Sequence, residues 1–190
     1  MLLYPVNLRV SDRLCVVLGG GGVALRKVLG LLAAKARIRV VSPTVGVELA
    51  GLAAAGTIEW LPRIYAEGDL QGAFLVFAAT NDREVQEQIK KEVGRTAGIL
   101  NCADDPQGSD FHIPAHFRRG QMLVTISTGG GSPALAKKIR EQLEKEIGPE
   151  YEAVVDLLAL LRERLVGGND GSESHGELFG RLLHQGVVEL

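Results

Sequence analysis

Cysteine is scarce in this sequence: two residues of 190, Cys15 and Cys102. Both lie in apolar runs that read as strands, so reduced, buried thiols are expected rather than a disulfide or a metal pair. An excess of one charge is also missing. The 21 Lys and Arg nearly balance the 23 Asp and Glu, leaving a net charge of −2. No global basic field exists to draw in nucleic acid or anionic lipid, and no nucleic-acid partner is expected. No window approaches the roughly 18 consecutive apolar residues of a membrane span. Met1 to Val10 lacks the charged start and long apolar stretch of a secretory signal. Internal repeats and low-complexity tracts are absent as well. The expectation is a cytoplasmic, soluble protein without a membrane partner. What is present is ordinary globular composition, 46% hydrophobic and 23% charged, in a length suited to one full domain and a smaller appendage.

The run Arg13–Leu18 is continuously apolar after its first residue and ends in four glycines, as a strand buried on both faces does. From Val23 to Ala36, Val23, Val28, Leu31 and Leu32 recur at helical spacing, with Arg26, Lys27 and Lys35 for the wet face. A second strand covers Ile38–Val41, and Ser42–Pro43 signals a helix start for the stretch to Ala55. Thr57–Leu61 predicts a third strand and Ala73–Ala79 a fourth. Asn81–Asp82 caps a helix to Val93, and Ile99–Cys102 is a fifth strand. This alternation predicts an α/β fold, a Rossmann-type, doubly wound parallel sheet. Past residue 103 a polar loop runs to Pro114. Met122–Ser127 is a further strand. Thr128–Pro133 forms a second glycine turn, with Ser132 as N-cap and Pro133 at the first helical position. Helices to about Ile147 and over Glu150–Leu165 follow, then a Gly/Asn/Asp/Ser linker and a last short helix. The domain expectation is 1–113 for dinucleotide binding, 114–148 for dimerisation and 149–190 for a helical C-terminal domain.

Gly19-Gly20-Gly21-Gly22-Val23-Ala24 matches G-x-G-x-x-G/A between a strand and a helix. Gly19 allows the tight turn, Gly21 lets backbone approach a pyrophosphate, and Ala24 lets helix and strand pack closely. The helix start at Gly22 and Val23 offers unpaired N–H groups to the phosphates. The acidic residue that usually closes the second strand and holds the ribose is missing. Its place is Ser42, so Ser42, Pro43 and Thr44 are the ribose-side candidates. Arg37 and Arg39 leave a 2′-phosphate open, with NAD preferred over NADP. Thr80 and Asn81, at the carboxyl end of the fourth strand, offer the other edge of the cleft.

The motifs at 19–27, at Ala78-Ala79-Thr80-Asn81, at Asn101-Cys102-Ala103-Asp104 and at Ser127–Pro133 occur in one order. Together they resemble the precorrin-2 dehydrogenase family, the dehydrogenase/chelatase part of sirohaem synthases, over nearly all of 3–148. The resemblance implies NAD-dependent oxidation of precorrin-2 to sirohydrochlorin by a homodimer, with Asp104 as the key acid. It also implies that the methyltransferase module fused to some relatives is absent and that an upstream enzyme supplies precorrin-2. A carboxylate at a strand's carboxyl end is well placed to take the proton that the substrate sheds after hydride loss. The residue-level alternative for Asp104-Asp105-Pro106 is a turn. Asp105 beside Asp104 is either a like-charge neighbour that raises one pKa or a solvated turn residue. Asn101, His112, Thr128 and Gly129 are assigned to substrate, with Arg118, Arg119, Lys137, Lys138 and Arg140 as candidate partners for its carboxylates. No resident metal site is assigned. Pro114 separates His112 from His116, so they do not form a helical metal pair. Two alternatives stand beside this reading. One is a bifunctional enzyme that also inserts ferrous iron, drawing on Asp104, Asp105, Asp110 and His112. The other is a non-catalytic NAD-sensing module, although the tail shows no helix-turn-helix.

Overall fold

The computed structural model describes residues 2–80 and 82–167. The expected closing helix and linker lie outside the described residues, as does Asn81. The chain divides into two compact units, with the boundary at Ile113/Pro114.

The first unit is a five-stranded, wholly parallel sheet built from β1 (Leu14–Leu18), β2 (Arg37–Val41), β3 (Glu59–Leu61), β4 (Leu75–Ala78) and β5 (Ile99–Cys102). Its order is β3-β2-β1-β4-β5. Helices α1 (Gly22–Ala33), α2 (Val47–Ala54) and α3 (Arg83–Val93) make the crossovers. Strand side chains alternate between two separate cores. Cys15, Val17, Ile38, Val40, Leu75 and Phe77 pack with Ala24, Val28 and Leu31 of α1 and Leu49 of α2. Val16, Leu18, Val41, Val76, Ala78, Leu100 and Cys102 pack with Ile89 and Val93 of α3. Two covered faces are the reason β1 and β4 are continuously apolar. Each fully buried valine contributes on the order of 1.5–3 kcal/mol. Both cysteines are free and buried, and burial pushes the Cys15 thiol up to about 11.

Three details differ from the sequence reading. Helix α2 starts at Val47 rather than at Ser42–Pro43, because the Ser42 hydroxyl donates to the Thr44 carbonyl 2.7 Å away and is spent inside the loop. The chain must first pass the glycine turn, where Gly46 N–H donates to Gly20 O at 2.9 Å. Lys27 is half-buried instead of solvated. Its ammonium lies 5.5 Å from the Phe77 ring centroid, and loss of water, then Arg26, lowers its pKa. Val23, at the helix start, is exposed, and the buried positions of α1 are Ala24, Val28 and Leu31.

The second unit holds an antiparallel ribbon, β6 (Ala115–Arg119) and β7 (Met122–Ile126), with α4 (Pro133–Glu146) and α5 (Glu150–Gly167). Sequence reasoning missed β6. Only Phe117 of its AHFRR run is a buried large apolar residue, and a two-residue turn with Gly120 at φ 55° closes the hairpin. Ser132 caps α4 by accepting from Leu135 N–H at 3.3 Å.

Helix α3 is anchored to the loop that precedes β4 through one buried carboxylate. Glu92 accepts from Gly68 N–H at 3.1 Å, from Leu70 N–H at 3.2 Å and from the Tyr65 hydroxyl. Burial, and then the Glu92 carboxylate, hold the Tyr65 phenol well above its usual value. Replacing Glu92 by Ala strands three donors at once. We expect Glu92→Ala to cost about 3 kcal/mol and Tyr65→Phe about 1 kcal/mol in urea unfolding. Equal stability of Glu92→Ala and the wild type would contradict this anchor.

Candidate functional site

The order β3-β2-β1-β4-β5 places the switch in strand order between β1 and β4, and the crevice beyond their carboxyl ends is where open α/β sheets bind ligands. The chain leaves β1 through the four glycines, and they differ physically. Gly19 has φ +124°, and a Cβ there would lie 2.3 Å from the Ala79 carbonyl oxygen. A Cβ on Gly20 would lie 2.0 Å from the Thr44 carbonyl oxygen. These two are demanded by packing against the loops that follow β4 and β2. Gly21 and Gly22 are not. A Cβ on either meets nothing within 4 Å, and neither has positive φ. The turn is therefore tight where it is buried and bare where it faces outward.

Helix α1 adds to this. Gly21 is its N-cap with no side-chain hydrogen bond, and no acidic residue lies in its first turn. By contrast, Asp82 caps α3 by accepting from Glu84 N–H (3.0 Å) and Val85 N–H (3.2 Å). The first-turn amides and positive dipole end of α1 are left for an anion, and the missing side chains let one come close. These residues fit the diphosphate of a dinucleotide.

On the other side of β4, strand β5 ends in register with it, Ala78 opposite Cys102, and Ala103 N–H donates to Ala78 O at 3.0 Å. Asp104 follows directly and is exposed. The loop beyond it is heavily braced. Asp105 accepts from Gly108 N–H at 2.9 Å and from the Lys90 ammonium at 3.0 Å. Asp110 accepts from Leu100 N–H at 2.8 Å. The Asn101 amide donates to Phe111 O at 2.9 Å, and the Phe111 ring meets Phe77 edge-on at 5.5 Å.

The comparisons with known proteins follow this division of the chain. Residues 6–115 match a family described as putative NAD(P)-binding, and residues 119–146 match the central region of sirohaem biosynthesis proteins. Sirohaem synthase of Thioalkalivibrio sulfidiphilus is 37% identical over 190 residues, which is 100% of this chain and 39% of that protein. Sirohaem synthase 1 of Aeromonas salmonicida is 39% identical over 94% of this chain and 38% of its own length. The chain thus spans about two fifths of these relatives. The solved structure of SirC, precorrin-2 dehydrogenase, matches with a TM-score of 0.78 and 31% identity, over 98% of this chain and 90% of that one. The chain belongs to the sirohaem synthase/precorrin-2 dehydrogenase family.

Within this family member, the sequence-predicted residues sort into distinct environments. Gly19, Gly21, Gly22, Val23 and Ala24 form the β1–α1 junction, with Ala24 fully buried against the strands. Pro43 and Thr44 are exposed beyond β2. Ser42 is buried, and besides its bond to Thr44 its carbonyl accepts from Trp60 Nε1–H at 3.0 Å, so it braces the loop. Thr80 is partly buried, and its hydroxyl accepts from Asp82 N–H at 3.2 Å. Asn101 is buried with its amide tied to Phe111, and His112 bonds to Pro106 O at 3.0 Å.

Thr128 and Gly129 lie in the second unit. The Thr128 hydroxyl accepts from Ser132 N–H at 3.1 Å, and Gly129 has φ 61°. Arg119 donates to Ile147 O and Glu144 O, and Arg140 pairs with Glu144, so these two are committed within that unit. Of the two roles open to Asp105, turn residue and like-charge neighbour, its bonds favour the turn. The Gly108 amide, then Lys90, hold its carboxyl below the usual range. Of the residues on which the bifunctional alternative draws, Asp105, Asp110 and His112 bond within the loop and its strand, while Asp104 meets Gln86 on α3. No three His, Cys, Asp or Glu among the described residues are grouped to hold a metal ion.

Two residues were missed. Gly20 is a wedge between the β1 and β2 loops. Gln86, 6% exposed on α3, reaches Asp104. Its spacing to Ile89 and Val93 (i, i+3, i+7) already marked it as a residue of the buried face.

The glycine pair gives a test that separates fold from ligand. Gly22→Ala should raise stability by up to ~1 kcal/mol in urea unfolding, since alanine suits a helix start with open space. The same change should weaken NAD+ binding at least tenfold by calorimetry. Gly19→Ala should instead cost more than ~2 kcal/mol of stability. Wild-type NAD+ affinity in Gly22→Ala would contradict the assignment.

Proposed function

We propose that this chain oxidises precorrin-2 to sirohydrochlorin with reduction of NAD+, and that Asp104 is the base. One observation carries the reading: a solvent-exposed carboxylate is fixed at the carboxyl end of β5, with only β4 between it and the strand that leads into the bare glycine junction. Bound NAD+ supplies the hydride acceptor. The substrate loses a hydride and a proton. After the hydride leaves, the macrocycle is cationic, and Asp104 takes the proton and returns it to water. The sum is precorrin-2 and NAD+ giving sirohydrochlorin, NADH and a proton.

The N–H groups of Gly21, Gly22 and Val23 grip the diphosphate, and the loop beyond β2, with Ser42, Pro43 and Thr44, lies on the ribose side. The arginines of β2 support NAD over NADP. Arg37 opens β2 at the end opposite the crevice, and Arg39 donates to Glu59 Oε2 at 2.7 Å. Asn101 and His112 shape the substrate side by holding the 103–113 loop. We assign Thr128 and Gly129 of the second unit to the substrate as well.

A homodimer through the second unit is part of this proposal. Leu135 on α4 and Leu157 and Leu160 on α5 are 50%, 51% and 57% exposed. Light scattering at twice the chain mass is expected, and the mass of one chain would contradict it. Two free, buried cysteines suit a reducing cytoplasm, which cell fractionation checks.

The proposed activity is read at 340 nm, where adding precorrin-2 and NAD+ should produce NADH. Asp104→Asn should fold and bind NAD+ as the wild type does, with turnover lowered roughly 10²–10⁴-fold. Full turnover in Asp104→Asn would remove Asp104 as the base.

A further inference from the structure

Helix α3 turns Gln86, Ile89, Glu92 and Val93 inward. Glu92 anchors the loop before β4, but Gln86 points its amide toward the other end of the sheet. Its Nε2 donates to the Thr80 carbonyl at 2.6 Å and to Asp104 Oδ1 at 3.0 Å. A carbonyl and a carboxylate only accept, so the amide nitrogen, not the oxygen, faces them, and both of its hydrogens are used. A single buried side chain therefore ties the turn after β4 to the carboxylate after β5.

We propose that Gln86 is a positioning residue for the oxidation: it fixes the rotamer of Asp104 relative to the strand that borders the cofactor cleft. The inference rests on the reading of Asp104 as the base. Capping the Thr80 carbonyl alone would explain burial of an amide. It would not require the second bond across 18 residues. Asp104 is otherwise exposed, and an exposed carboxylate without a tether samples several rotamers. The Gln86 bond selects one of them before substrate arrives, and displacement of a reacting group by about 1 Å costs on the order of 10²-fold in rate.

The test measures kcat, KM and calorimetric NAD+ affinity for Gln86→Met and Gln86→Asn, each alone and combined with Asp104→Asn. Methionine keeps the packing volume and loses both donors; asparagine keeps a buried amide that is one methylene short. Gln86→Met should lower kcat roughly 10- to 100-fold. Its KM values and NAD+ affinity should stay within about threefold, and Gln86→Asn should fall between it and the wild type. On the Asp104→Asn background, Gln86→Met should remove less than a further twofold, because the group through which it acts is gone.

A wild-type kcat in Gln86→Met overturns the proposal. So does a rise in KM at unchanged kcat, or a loss that multiplies with that of Asp104→Asn. If Gln86→Met does not bind NAD+, Gln86→Asn decides alone: a several-fold fall in kcat supports the proposal and wild-type kcat overturns it. Full turnover in Asp104→Asn defeats the base reading and this inference together. An inactive Asp104→Asn beside a fully active Gln86→Met defeats only the role of Gln86.

Discussion

The site depends on a steric contrast within four consecutive glycines. Gly19 and Gly20 are pressed against the carbonyls of Ala79 and Thr44, with no room for even a methyl group. Gly21 and Gly22 face open space. The first pair brings the loops after β4 and β2 against the turn, so the crevice has walls. The second pair leaves the amides at the start of α1 bare. A larger residue in the first pair breaks the crevice, whereas one in the second merely covers the amides.

This turn is held from below by a sheet covered on both faces. Cys15 and Val17 of β1 look to α1 and Val16 and Leu18 to α3. The strand has no solvent face along which to slip, because a shift by one residue would exchange the two cores. Rigidity then passes sideways. Strands β4 and β5 pair in register up to Ala78 and Cys102. The loop after β5 is tied down by Asp105, Asp110 and Asn101, and the carboxylate of Asp104 is tied to α3 through Gln86. The base proposed here lies on a loop and needs such support, since the loop alone has no regular hydrogen bonding to keep it in place.

Strands β1 and β4 were legible because both of their faces are buried, which leaves apolar runs that no polar alternation interrupts. The glycine junction was legible because its spacing lies between a strand and a helix. What escaped depends on contacts between distant segments. β6 carries a single buried large side chain and two arginines, so its pattern is that of a loop until β7 pairs with it. Ser42 followed by Pro43 has the local chemistry of a helix start, but its hydroxyl is taken by Thr44 while the chain rounds Gly20. Lys27 looks solvated on a helical wheel, yet the Phe77 face draws it inward. Asp105 was indistinguishable from Asp104 as text, and only the Gly108 amide and Lys90 separate a turn brace from an exposed acid. Gln86 is polar in a charged helix, and its bond partners lie 6 and 18 residues away.

The central claim is that the bare amides at the β1–α1 junction grip a dinucleotide diphosphate. A crystal structure of the NAD+ complex tests it most directly. The account predicts diphosphate oxygens within hydrogen-bond distance of the N–H groups of Gly21, Gly22 and Val23, with the nicotinamide end directed toward β4 and β5. A diphosphate bound elsewhere on the chain, with that junction left in contact with solvent alone, would contradict it.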